Sequence, residues 1–175
     1  MDTIWKEVMW SQFAATIDML GEAIQACPAE LWDAPLWQDP IMGSKFSQFW
    51  YVAYHTLFWL DLYLTGSQDG FLPPAPFDTN ELDPQGVLPN GMFTRDELQS
   101  YLDHCHKKCK QTVEQLTDGK IRQLCYFSWR KEGLSFAELL VDNMRHVQEH
   151  GAQLNMFLGQ QVNKTAHWLA GPKLE

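Results

Sequence analysis

Positive charge is scarce in this 175-residue chain. Its 13 Lys and Arg stand against 22 Asp and Glu, a net charge of −9 with His neutral. The shortage weighs against a nucleic-acid surface, where basic side chains supply most of the affinity. It points to a soluble protein whose ligand is not a polyanion. A secretory leader is missing too: MDTIWKEVMW carries an acid at position 2 and no uninterrupted apolar run. A cytoplasmic location is therefore expected. Cysteine is limited to Cys27, Cys105, Cys109 and Cys125, and without export these are expected as reduced thiols. The longest apolar stretch, Phe46 to Leu64, is broken by Gln48, His55 and Asp61 and lacks a basic flank. It reads as a buried helix of a soluble protein, with no membrane partner. Internal repeats and low-complexity segments are also lacking, and with 45% hydrophobic residues the chain can build a core.

Aromatic residues are abundant: eight Trp, ten Phe and five Tyr. They imply a densely packed core, an aromatic-lined cavity, or both. By length the chain is one domain, here residues 1–160, followed by a polar tail over 161–175.

Apolar residues recur at helical spacing from Asp2 to Ala26, with Ile4, Val8, Ile17, Leu20 and Ile24 near one face. Pro28 ends that helix, and four Pro and Gly residues make Pro28 to Gly43 a connector. A second helix is expected from a cap at Ser44 to Gly66, apolar nearly all round and so the most enclosed element. Residues 66–91 hold five prolines and four glycines, which suits a long crossover or a lid. Thr94 with Glu97 forms a capping box for a third helix, reaching about Thr117. Ser135 with Glu138 opens a fourth, ending near Gln160. A short hairpin fits between them, around Leu124 to Trp129. The expected fold is all-α: a four-helix bundle with a long crossover between the second and third long helices.

Sites in bundles are built from inward-facing side chains on facing helices. His146 and His150 stand four apart on the last helix, so their Cβ atoms lie roughly 5–6 Å apart. Two imidazoles at that spacing can share one cation. They fall on the edge of the apolar face formed by Leu140, Met144, Val147, Leu154 and Leu158. His55 lies mid-way along the most apolar helix, where a lone histidine is more often a satisfied core residue. If the second and last helices pack together, it completes a three-nitrogen site. Three protein ligands leave a position open for water or substrate. All-imidazole ligation suits Zn, Ni, Cu or Fe better than Mg or Ca, with Zn or Ni foremost. The chemistry on offer is activation of a bound water or thiol, or polarisation of a carbonyl.

The run YVAYHTLFWLDLYL, together with RHVQEHGAQLNMFLG near the C-terminus, resembles the DinB superfamily (DinB/YfiT-like proteins). The resemblance spans about Trp5 to Gly159. Its specific part is a histidine on the second helix and an HxxxHxGQL-like run on the last. Matched by position, the metal ligands it implies are His55, His146 and His150, with Gln153 and Leu154 completing the motif. Gly151 and Ala152 depart from the usual basic residue and glycine. The resemblance implies a bundle binding one divalent metal, often as a homodimer. For some members it implies thiol-dependent S-transferase or isomerase chemistry with a low-molecular-weight thiol.

The expected function is therefore a metal-dependent enzyme acting on a small electrophilic molecule. Hydrolysis is the less favoured chemistry, and no catalytic acid or base can be named. Tyr51 and Trp59 are expected to wall a small apolar substrate pocket, with Asn143 on the histidine row lining it. The alternative is a non-catalytic metal- or small-ligand-binding module on the same bundle. HCHKKC (104–109) looks like a second metal cluster, but Cys105 and Cys109 fall on the apolar face as core fillers, away from His104 and His106. Asp142 and Glu149 flank the histidines and suit either an imidazole N–H or a solvated helix face. No serine carries a nearby His/Asp pattern.

Overall fold

In the computed structural model, which describes residues 3–38 and 40–173, four long helices pack as a bundle. They are α1 (Thr3–Ala26), α2 (Phe49–Thr65), α3 (Arg95–Glu114) and α5 (Phe136–Val162). Between the last two lie a short α4 (Asp118–Arg122) and an antiparallel hairpin of β1 (Leu124–Phe127) and β2 (Arg130–Ser135). Asp2, expected in the first helix, is outside the described residues. α2 packs chiefly on α5 and α3, and α1 packs on the same two helices. α1 and α2 therefore occupy opposite corners of the bundle.

The apolar periodicity of each helix explains this arrangement. Phe13, Ile17, Leu20 and Ile24 of α1 are wholly enclosed, as are Leu98 and Cys105 of α3 and Val147, Leu154 and Leu158 of α5. Each large aliphatic or aromatic side chain so buried contributes about 1.5–3 kcal/mol. Ile4 and Val8, expected on the buried face of α1, are instead exposed. Burial along α1 starts at Met9.

α2 is apolar around most of its circumference and is buried on several sides. It starts at Phe49 rather than Ser44. Residues Ser44–Ser47 form a 3₁₀ turn, and Gln48 is extended (ψ 144°). The reason is competition for hydrogen bonds. The Ser47 hydroxyl donates to Trp37 O at 2.7 Å, while Leu36 N–H donates to Ser47 O and Phe49 N–H to Ala34 O. These bonds tie the segment to the first connector. α2 ends at Gly66, whose φ of +78° suits glycine, and a Cβ there would sit 3.0 Å from the Phe136 ring.

One carboxylate lies inside the bundle. Asp61 accepts from Lys108 Nζ at 2.5 Å and from the Tyr101 hydroxyl at 3.1 Å, tying α2 to α3. A buried charge requires such partners. The crossover over 66–91 is anchored on the same helices by Phe71 and Phe77. Phe77 stacks on Tyr101 (centroids 4.3 Å) and packs against Tyr54. Within the crossover, Asn80–Leu82 forms one 3₁₀ turn over α2. Among the described residues, no helix is long and apolar enough to cross a membrane.

Candidate metal centre

α5 begins with Ser135, whose hydroxyl accepts from Glu138 N–H, so the phase of the whole helix follows from a well-defined first turn. That phase carries His146 and His150 to the edge of the buried face, ring centroids 4.6 Å apart. The packing of α2 against α5 brings His55 opposite them, at 5.3 Å from His146 and 5.1 Å from His150. One nitrogen from each residue lies within 4.8 Å of the other two. Two ligands at Zn–N distances near 2.05 Å and a tetrahedral angle stand roughly 3.3 Å apart. The Nε2 atoms of His55 and His146 are 3.4 Å apart. These two rings already have the spacing of a shared ion.

Hydrogen bonds on the far side of two rings fix which nitrogen faces inward. His55 Nδ1 meets Glu81 Oε2 at 2.8 Å, and His150 Nδ1 meets Gln153 Oε1 at 2.7 Å. Each ring thus donates through Nδ1 and turns Nε2 away from that partner. His146 Nδ1 is buried with no protein partner, as is Oδ1 of Asn143 three residues earlier. A proton on Nδ1 would leave Nε2 of His146 free for a cation. The two orphaned atoms would then be a donor and an acceptor one helical turn apart. Three imidazoles able to present Nε2 to one point are a donor set that fits a divalent transition ion.

Glu81 organises this site from the crossover. Its carboxylate is 4% exposed and accepts from three side chains of α2. Tyr51 OH donates to Oε1, and His55 Nδ1–H and Trp59 Nε1–H (3.0 Å) donate to Oε2. The donors are spaced i, i+4 and i+8, so they form one row along the helix. Burial opposes ionisation of Glu81, but the bonds from His55, Tyr51 and Trp59 outweigh it and hold the carboxyl below its usual range. Burial, reinforced by the Glu81 charge, raises the Tyr51 phenol and keeps it a donor. His146 is pushed down to about 2 by burial and by the neighbouring His55 and His150. His150 is lowered by burial and by His55. Both rings are therefore neutral at neutral pH, the state a metal ligand needs.

The imidazoles adjoin a cavity of about 320 Å³. His55, His150 and Glu81 are in its wall together with Tyr51 and Trp59, and the two connectors supply Trp37, Met42 and Val87. Trp129 of the hairpin turn packs edge-on to Trp59 (5.0 Å) behind that wall. Asn143, expected to line the pocket, does not line this cavity. It is fully enclosed and donates to Leu60 O at 3.1 Å, because its position on α5 faces the α2 backbone.

Asp142 turns to Arg145 (3.5 Å) and Arg130 (4.0 Å) rather than to an imidazole. In the 104–109 run, Cys105 and Cys109 are core, while His104 faces Asp61 and His106 faces Asp18. They form no joint site. Glu81 was not singled out by sequence reasoning, since NEL inside a Pro/Gly-rich stretch carries no periodic signal. The available hint was the row Tyr51, His55, Trp59, three potential donors on one helix face.

Two outcomes follow from this geometry. In the unfolded chain His146 takes up a proton near pH 6.5, whereas in the fold it does so only at about 2. Unfolding therefore binds protons between those values. Stability of the metal-free protein is whole above pH 6.5 and falls as pH drops, by at most about 1.4 kcal/mol per pH unit for this residue. Urea unfolding at pH 7 and 5.5 should show the loss, and His146→Gln should show less of it; equal slopes would refute the assignment. Glu81→Gln should weaken metal binding by about 10–100-fold, because the charge that orients His55 is gone. Competition with a chromogenic chelator measures this, and an unchanged affinity would remove Glu81 from the site.

No curated protein and no solved structure matches the chain. A sequence model of the DinB superfamily matches residues 12–154, which include all three histidines, Glu81 and the whole of α2 and α3. The helical bundle and the three-histidine cluster agree with that match, and the chain belongs to the DinB superfamily.

Proposed function

We propose that the protein is a metal-dependent enzyme that brings a low-molecular-weight thiol, or water, to a small apolar electrophile. The observation that supports this reading most is the placement of the three imidazoles. His55 and His150 are in the cavity wall, and His146 completes the set from outside the lining. A group held by their Nε2 atoms would be presented to the cavity rather than sealed in the core. Sealed sites are structural, and open ones are catalytic.

His55, His146 and His150 would hold the ion, Zn or Ni by the chemistry of the donors. When bound, such an ion lowers the pKa of a thiol or water beside it. The chain supplies the surroundings. Glu81 holds the His55 ring in place, and Gln153 does the same for His150. Tyr51 and Trp59 give the cavity an aromatic wall that excludes water from an apolar guest.

The thiol must come from outside the chain. All four cysteines are buried, none lines the cavity, and burial raises every one of their thiols, Cys27 and Cys109 to about 12. None is a poised nucleophile.

The test is elemental analysis of untagged protein, with His55→Ala, His146→Ala and His150→Ala each made singly. Each variant should lose at least about 90% of bound metal at micromolar free ion, the scale of removing one of three ligands. Turnover of simple electrophiles with added thiols should fall in parallel. Retention of metal in all three variants would end the proposal. Metal and tight small-molecule binding without turnover would make the protein a binding module instead.

A further inference from the structure

We infer that the molecule this cavity takes ends in an uncharged or cationic tail, and that thiols with anionic tails are selected against. The inference rests on the metal-anchored thiol reading above for the inner end of the ligand. The charge of the walls decides the outer end.

A cavity of about 320 Å³ is at the small end of the range for ligand sites, so a tail must lie against its walls. Among the described residues that line it there is no Lys or Arg, but two carboxylates are there, Glu81 and Asp83. Low-molecular-weight thiols with carboxylate tails are ordinarily received by guanidinium or ammonium groups, which pair with each oxygen. Among the described residues, no guanidinium or ammonium is on this wall. Glu81 is already occupied by Tyr51, His55 and Trp59.

The outer part of the cavity has the same bias. It is formed where the two connectors meet, close enough that a Cβ on Gly86 would lie 2.5 Å from Met42 Cε. Trp37, Met42, Phe46 and Val87 give it an apolar surface. Asp83 is exposed there, with Oδ1 accepting from Gln85 N–H at 2.8 Å. An anionic tail would be desolvated against apolar side chains with a like charge nearby. A hydroxyl tail meets only ordinary polar contacts. An ammonium tail gains Asp83 and the rings of Trp37 and Phe46. Asp83 is solvent-exposed and screened, so discrimination is expected at about tenfold rather than absolute.

The test uses the protein loaded with Co(II), whose visible absorption reports thiolate coordination directly and needs no turnover. Mercaptoethanol, cysteamine and mercaptopropionate share a short chain and differ in tail charge. At neutral pH, mercaptopropionate should bind about tenfold more weakly than the other two. Asp83→Lys, at an exposed position, should close most of that gap, which separates wall charge from the intrinsic affinity of each thiol. Equal or tighter binding of mercaptopropionate, or a gap unmoved by Asp83→Lys, overturns the inference and leaves metal-anchored thiol binding intact. If none of the three perturbs the Co(II) spectrum, the thiol reading and the inference fall together.

Discussion

The contact between α2 and α5 turns two unremarkable stretches of helix into a site. Each helix alone carries histidines that would otherwise be an ordinary core residue and an ordinary helix-edge pair. Packed together, they bring His55 Nε2 to 3.4 Å from His146 Nε2. The contact is maintained by apolar residues on both helices and by Asn143, which spends its amide on the Leu60 carbonyl of α2. A polar group enclosed at that point is costly unless bonded, so it restricts how the helices can slide. The register of the ligand set thus depends on packing one turn along α5 from His146 as well as on the histidines themselves.

Glu81 adds a second constraint, from a different part of the chain. Three donors on α2 would be stranded without it, and its own charge would be untenable in the same place without them. The crossover and the histidine cluster are therefore one structural unit. Phe71 and Phe77 anchor the same segment in the core, so the 3₁₀ turn that carries Glu81 is held at both its apolar and its polar contacts. The segment packs as a strap over α2. This arrangement also sets the cavity's character: a carboxylate is built into the wall for positional reasons, and no Lys or Arg is among the described residues that line the cavity.

Much of this was legible in the sequence because it follows from helical periodicity. The spacing of His146 and His150, the stripe on α5 and the Thr94–Glu97 capping box are local properties, and the box is present as expected. His55 required one non-local assumption, that α2 meets α5. What could not be read depends on irregular backbone. Glu81 is contributed by a turn whose conformation no repeat encodes. The late start of α2 results from Ser47 and Phe49 bonding to the first connector, which leaves Ser44 in a separate 3₁₀ turn rather than capping the helix. Asn143 shares a row with the histidines, yet one turn along α5 it faces the α2 backbone rather than the cavity. Ile4 and Val8 carry the right period but are exposed.

The account stands on three imidazoles sharing one ion with a coordination position left open. X-ray absorption at the metal edge of Zn- or Ni-loaded protein reads this directly. It should find three imidazole nitrogens at about 2.0–2.1 Å, plus a light-atom ligand that is replaced by sulfur when a small thiol is added. Fewer than three imidazoles, or a first sphere dominated by oxygen that no thiol displaces, would contradict it.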